Sequence, residues 1–212
     1  MGSSSTVQSV PDEYDEYVKA GSFQIPFDLF VSKKHQKIIG GRSWIDFKDS
    51  SGNLVFTVER RHKNRSTTSS LSNPPTKLLL DASGNILFSI QKPKDAMWQC
   101  FMVKDNKEEL IFRVEKKLNN QTRTEFEIFF MGKKLEEMTE NFRMIGSPFE
   151  RSCTIYNGDS LVAETSLMYK LGIMKKFVLR NRFRVTIFPG FCDVGLIVAM
   201  VVIFFDGRKL WI

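Results

Sequence analysis

The sequence predicts a mainly β protein whose strands close into an antiparallel barrel around one hydrophobic helix near the C-terminus. Three observations carry this. Short apolar segments recur between clusters of turn residues, one hairpin motif occurs twice, and Val194 to Phe205 (VGLIVAMVVIFF) contains no polar side chain. The strands need a common core, and a helix that is apolar all round needs cover on every side. A sheet closed around that helix meets both demands and leaves no exposed strand edge.

Residues 1–20 are Ser-rich and then acidic, and are expected to form a flexible segment ahead of a single domain over 21–212. The chain begins Met-Gly-Ser-Ser-Ser-Thr, which fits the M-G-x-x-x-[ST] myristoylation pattern and makes Gly2 a lipidation candidate. The pattern is short, so a chance match or a leader reads the same, and one acyl chain anchors only weakly.

From about Phe23 onward the chain reads as strands. Asp49-Ser50-Ser51-Gly52-Asn53-Leu54-Val55-Phe56 returns 32 residues later as Asp81-Ala82-Ser83-Gly84-Asn85-Ile86-Leu87-Phe88. Gly and Asn tolerate positive φ, and Asp can bond the backbone two residues on, so each copy predicts a turn followed by a return strand. The hairpins are Trp44–Lys48 with Leu54–Val58, and Lys77–Leu80 with Ile86–Ile90. Asn157-Gly158 predicts a third, between Cys153–Tyr156 and Leu161–Glu164. The Ser-, Thr-, Asn- and Pro-rich stretch 62–76 predicts a mobile loop. Further strands are expected at Trp98–Val103, Leu110–Glu115, Arg123–Met131, Phe142–Ile145 and Phe177–Phe188, with a charged turn or short helix near Lys133–Glu140.

The apolar run at 194–205 is placed to be the enclosed element, within a central helix expected near 193–205. Asp193 can cap its start and Gly207 can end it. Its Val and Ile content suits a buried strand as well, and periodicity does not arbitrate between the two. As a helix its twelve residues would reach roughly 18 Å, against about 30 Å for a bilayer core, too short for a convincing transmembrane span.

Composition is that of an ordinary single domain: 212 residues, 42% apolar and 26% charged, with 19 phenylalanines to fill a thick core. Cys100, Cys153 and Cys192 form no CxxC pair, and an odd, sparse set fits a reducing compartment. No secretory signal is evident, so the sequons at Asn64 and Asn120 read as chance matches and a cytoplasmic location is expected. The net charge of +7 is uneven: residues 1–24 carry −3 and the remainder +10. Between Thr165 and Gly190 stand Lys170, Lys175, Lys176, Arg180, Arg182 and Arg184 with no acid.

Taken in order, these pieces resemble the plant LURP-one-related proteins, within the tubby C-terminal-like superfamily that also holds the phospholipid scramblases. The likeness runs from about Gly21 to Phe205. It rests on the D-x-S-G-N-[LI]-x-F hairpins at Asp49 and Asp81, on Trp98 opening the next strand, and on Phe142-Arg143-Met144 leading through Gly146-Ser147 to Glu150-Arg151-Ser152-Cys153-Thr154-Ile155-Tyr156. Arg184-Val185-Thr186-Ile187-Phe188-Pro189-Gly190 before Asp193 completes it. The resemblance implies a tubby-like closed barrel of roughly twelve strands threaded by a C-terminal helix. Two departures stand out: a longer, more polar loop at Ser66–Pro75, and the basic and aromatic tail Arg208, Lys209, Trp211 and Ile212.

The residues do not assemble a catalytic centre. His35 and His62 lie in basic, polar surroundings without a fixed acid or nucleophile beside them. No zinc or calcium spacing and no phosphate-binding Gly loop occurs, so no cofactor and no enzyme activity is expected. The basic segment is the constellation with chemistry in it. On a strand, period two puts Arg180, Arg182 and Arg184 on one face, with Lys175 and Lys176 at its entrance. Forked guanidinium donors suit phosphate head groups, although a solvated strand face explains the same pattern.

The expected function is therefore a non-catalytic tethering or interaction module, and the resemblance alone implies a role for it in plant defence or stress signalling. Its expected partners are an anionic membrane surface or a phosphoinositide, at the plasma membrane, and a protein not identified by the sequence. The alternatives are scramblase-like lipid transport and a membrane-tethered transcription regulator. Sequence-specific nucleic-acid binding is not expected, since no recognition helix or zinc site supports it.

Overall fold

Alternation of buried and exposed positions along each strand builds the wall of the fold. The computed structural model describes residues 25–35, 43–61, 76–93, 97–105, 107–119, 123–131, 142–147, 150–168, 182–190 and 193–206. Its strands are β1 (Phe27–His35), β2 (Ser43–Lys48), β3 (Leu54–Arg61), β4 (Thr76–Asp81), β5 (Ile86–Gln91) and β6 (Trp98–Lys104). They continue with β7 (Lys107–Asn119), β8 (Thr124–Phe130), β9 (Phe142–Ser147), β10 (Ser152–Asn157), β11 (Ser160–Leu167) and β12 (Arg182–Ile187), before the helix α1 (Val194–Asp206). Consecutive strands pair antiparallel, and β1 pairs with both β2 and β12, so the twelve strands close into a barrel. The expected β-barrel with a C-terminal helix is the observed architecture.

The apolar run is a helix, and the barrel interior is what makes it one. Gly195 through Phe205 are all buried, with no exposed stripe. A fully enclosed backbone must satisfy its own hydrogen bonds, which a helix does within one segment. Val31, Phe47, Leu79, Phe112, Phe126, Phe183 and Ile187 supply part of the surrounding core. Each such side chain, fully buried, contributes about 1.5–3 kcal/mol. The edge of Phe126 meets Phe204 at 5.6 Å between centroids, and Phe183 meets Phe205 at 4.9 Å.

Both helix ends are held. The Asp193 carboxylate accepts the Leu196 N–H at 3.0 Å, the expected N-cap, and the Asp193 carbonyl accepts the Ile197 N–H at 3.3 Å. Burial raises the Asp193 pKa above its ordinary value, while the Leu196 and Gly195 amides oppose that shift. At the other end Lys77 Nζ lies 2.6 Å from Asp206 Oδ1, and the Arg151 guanidinium sits 5.5 Å from the Phe205 ring centroid. Cations placed there complement the negative pole of the helix.

The repeated motif forms two neighbouring hairpins, because β3 pairs with β4. Asp49 accepts the Asn53 N–H at 2.8 Å and its side-chain amide at 2.9 Å; Asp81 and Asn85 repeat both bonds at 2.8 Å. Gly52 and Gly84 both take φ of 87°. The third hairpin turns at Gly158, whose φ is 57°.

Some boundaries differ from those expected. The helix runs one residue further than Phe205, to Asp206. β7 is much longer than Leu110–Glu115 because its first part extends along β6 to Lys107 and its last part pairs with β8 from Phe112 to Asn119. Among the described residues the last strand is Arg182–Ile187, so the expected stretch 177–181 lies outside them. Of the expected loop 62–76, Thr76 instead opens β4 and the rest lies outside the described residues, as do residues 1–20 and the segment 133–140.

Candidate functional site

β12 carries the arginines because its other face is core. Phe183, Val185 and Ile187 are buried, and Arg182, Arg184 and Thr186 take the alternate positions. Arg182 is exposed, and Arg184 keeps 43% of its side chain in solvent. Arg184 Nη1 lies 3.5 Å from Asp28 Oδ2 of β1. The second Asp28 oxygen is occupied by the Thr186 hydroxyl, which donates to Oδ1 at 2.6 Å. One of the two cations is thus partly neutralised, and Arg182 is the more available of the pair. Lys175, Lys176, Arg180 and Gly2 lie outside the described residues.

A second feature sits on the outer face of β8 to β10. A cleft of about 460 Å³ is lined by residues that include Arg123, Gly146, Ser147, Glu150, Ser152 and Tyr156. Ser152, Thr154 and Tyr156 reach it by the period-two alternation of β10. Gly146 is required where β9 and β10 approach: a Cβ there would lie 2.2 Å from the Ser152 carbonyl oxygen. The connection between these strands also holds Arg151 in the left-handed region, at φ 56° and 8% exposed. The Thr165 hydroxyl donates to the Arg151 carbonyl at 2.8 Å and fixes that conformation. Chemically the cleft offers hydroxyls with one cation and one carboxylate, so it can recognise a ligand by hydrogen bonding and has little net charge to add.

The sequence reading did not reach this cleft. Its signal was present in Gly146-Ser147 and in the alternating hydroxyls of β10, but only the pairing of β9 with β10 brings these together and that of β8 with β9 adds Arg123.

Nucleophile chemistry finds little support in the described thiols. Cys100 and Cys153 are both fully buried, and burial pushes both pKa values well above the ordinary one. Among the described residues no group of three or more His, Cys, Asp or Glu side chains is placed to hold a metal ion. His35 ends β1, and His62 lies outside the described residues. No described helix is long and apolar enough to cross a membrane.

Against known proteins, the model of the LURP-one-related family matches residues 27–206, which takes in every strand and α1. The chain belongs to the LURP-one-related family. Among the similar proteins is LURP-one-related 7 of Arabidopsis thaliana, 42% identical over 185 residues, covering 87% of this chain and 91% of the relative. LURP-one-related 15 of the same plant is 28% identical over 192 residues, covering 87% of this chain and 81% of the relative. The LURP-one-related match ends at the last residue of α1, so barrel and helix both fall within the matched family domain.

Proposed function

We propose that this LURP-one-related barrel is a non-catalytic module that binds anionic phospholipid surfaces peripherally. The observation that carries the reading is the outward placement of Arg182 and Arg184 on β12, backed by the buried Phe183 and Val185. Guanidinium groups present forked donors that suit phosphate oxygens. Near an anionic leaflet each Lys or Arg contributes about 1 kcal/mol. The acid-free stretch from Thr165 to Gly190 adds Lys175, Lys176 and Arg180 to the same part of the sequence. Phosphoinositides are the lipid class with the highest charge density for such a face, and the plasma membrane is the surface that we assign. Myristoylation at Gly2 would add a second, weak anchor.

Scramblase-like transport is the less favoured reading, because it asks the C-terminal helix to enter a bilayer. α1 has 13 residues, and Gly195 through Phe205 are enclosed by the barrel. A helix of that length reaches about 20 Å, short of a hydrocarbon core of about 30 Å. A membrane-tethered transcription regulator remains a role that such a tether could serve. The setting in plant defence or stress signalling comes from the family likeness.

The test replaces Arg180, Arg182 and Arg184 together by glutamine in the full chain and measures co-sedimentation with phosphoinositide-containing vesicles. The proposal expects binding by the parent and its loss in the triple variant. Equal binding by both proteins contradicts it.

A further inference from the structure

The fold sorts charge between the two ends of the barrel. In a closed antiparallel meander every even-numbered strand starts at the same end, and every odd-numbered strand finishes there. α1 finishes there too, since its last residues meet Lys77 at the start of β4, Phe126 near the start of β8 and Phe183 near the start of β12. Exposed at this end are Arg60 late in β3, Lys92 after β5, Lys116 late in β7, Arg123 before β8 and Arg182 at the start of β12. Glu59, Glu125 and Glu150 share the end, and Lys117 is engaged by Glu115 and Glu127 at 3.3 and 3.1 Å.

The opposite end is acidic. Asp49 and Asp81 hold its two repeated turns, Asp105 and Asp159 stand in two more, and Glu108 and Glu109 are exposed at the start of β7. Among the described residues Lys48, Lys104, Lys107 and Arg143 are the cations there, and Arg143 lies 3.9 Å from Asp159.

We infer that the barrel meets an anionic membrane end-on, through the rim around the C-terminal end of α1, with its acidic end turned away. This rests on the lipid-binding reading above and changes its geometry: β12 is one part of the contact, not the whole of it. Twelve strands at about 4.8 Å spacing and a tilt near 40° give a wall about 24 Å across. Docking by the β12 side would leave β6, on the opposite wall, well beyond a Debye length of about 8 Å. Docking by the end brings cations from opposite walls, on or beside β3, β5, β7, β8 and β12, to the surface together. A plane suits this arrangement better than a groove does, because the described cations are spread across the end and form no stripe. Met97 and Met168, each 38% exposed, interrupt the cationic rim and offer apolar contact at head-group depth.

The experiment uses the full chain and phosphatidylcholine vesicles with or without phosphatidylserine. Three variants are compared with the parent: K92Q/K116Q across the barrel from β12, R182Q/R184Q on β12, and K104Q/K107Q at the acidic end. End-on docking predicts that the first two each lose about tenfold or more in partitioning, while K104Q/K107Q binds as the parent does. Loss in R182Q/R184Q alone overturns end-on docking and leaves the lipid-binding reading intact. Equal loss in all three also overturns it, because net charge alone would then explain binding. No binding by the parent overturns both readings, as does duplex DNA binding that outcompetes the vesicles at the same salt. Unchanged thermal unfolding across the variants establishes that each is folded.

Discussion

Phe183 meets Phe205 edge to face, with ring centroids 4.9 Å apart and planes at 63°, and this contact joins the arginine-bearing strand to the enclosed helix. Arg182 and Arg184 flank Phe183 in sequence, so the ring that anchors β12 also fixes the outward direction of its two neighbours. Packing and candidate function meet at one residue.

Truncating either ring should cost stability on the scale of a core aromatic. F183A and F205A are each expected to destabilise by about 3–5 kcal/mol. The double variant should show a coupling of about 0.5–1.5 kcal/mol, measured by a double-mutant cycle in urea unfolding. Additive effects would mean that the two rings do not act on one another.

Two glycines should respond to alanine for different reasons. At Gly146 the new Cβ strikes the Ser152 carbonyl oxygen at 2.2 Å and the Cys153 Cα at 2.8 Å, so strands β9 and β10 must separate. About 3 kcal/mol or more of lost stability is expected from G146A. Gly52 has nothing within 4 Å of such a Cβ, and only its φ of 87° is strained, so G52A should lose about 1–2 kcal/mol. Thermal melts of the two variants would rank them, and the reverse order would contradict the β9–β10 approach.

Acid should act on two kinds of aspartate in opposite senses. Hydrogen bonds from Asn53 and Asn85 lower the Asp49 and Asp81 pKa values below 3.8. Their contribution is present above that value and is lost as pH falls through the lowered pKa. Asp193 is raised above 3.8 by burial, so folding favours its protonated form. It destabilises when ionised, and that penalty fades as pH falls through its raised value. D193N keeps a good N-cap without the charge, so it should match or exceed the parent at neutral pH and lose that advantage in acid. D193A removes the cap and should lose about 1 kcal/mol. Chemical denaturation across pH 3 to 7 checks both signs.

The buried thiols report on whether the barrel opens. In a C192S background, Cys100 and Cys153 should resist a thiol reagent in the native protein and react fully once it unfolds, since both are 0% exposed. Fast native-state reaction would show that strands around β6 or β10 part readily.

Much of the wall was legible in the sequence because its signals are local. Asp49 to Asn53 and Asp81 to Asn85 each close a turn within five residues, so the two hairpins needed no tertiary information. α1 was harder: its Val and Ile content fits a strand, and only enclosure on every side decides for helix. β1 showed least, because its role is to pair with β12 across more than 150 residues of chain, a contact no local pattern encodes. The same holds for the site. Arg182 and Arg184 follow from alternation on β12, whereas Asp28, which draws Arg184 into an ion pair, comes from the far end of the sequence. The charge difference between the barrel ends required the strand order before it could be seen at all.

The most direct test of the account is the partitioning of the full chain onto phosphatidylcholine vesicles with increasing phosphoinositide content, at low and at physiological salt. The account predicts saturable binding that rises with anionic lipid and weakens as salt screens the cationic rim. Absence of binding to the most anionic vesicles at low salt would contradict it.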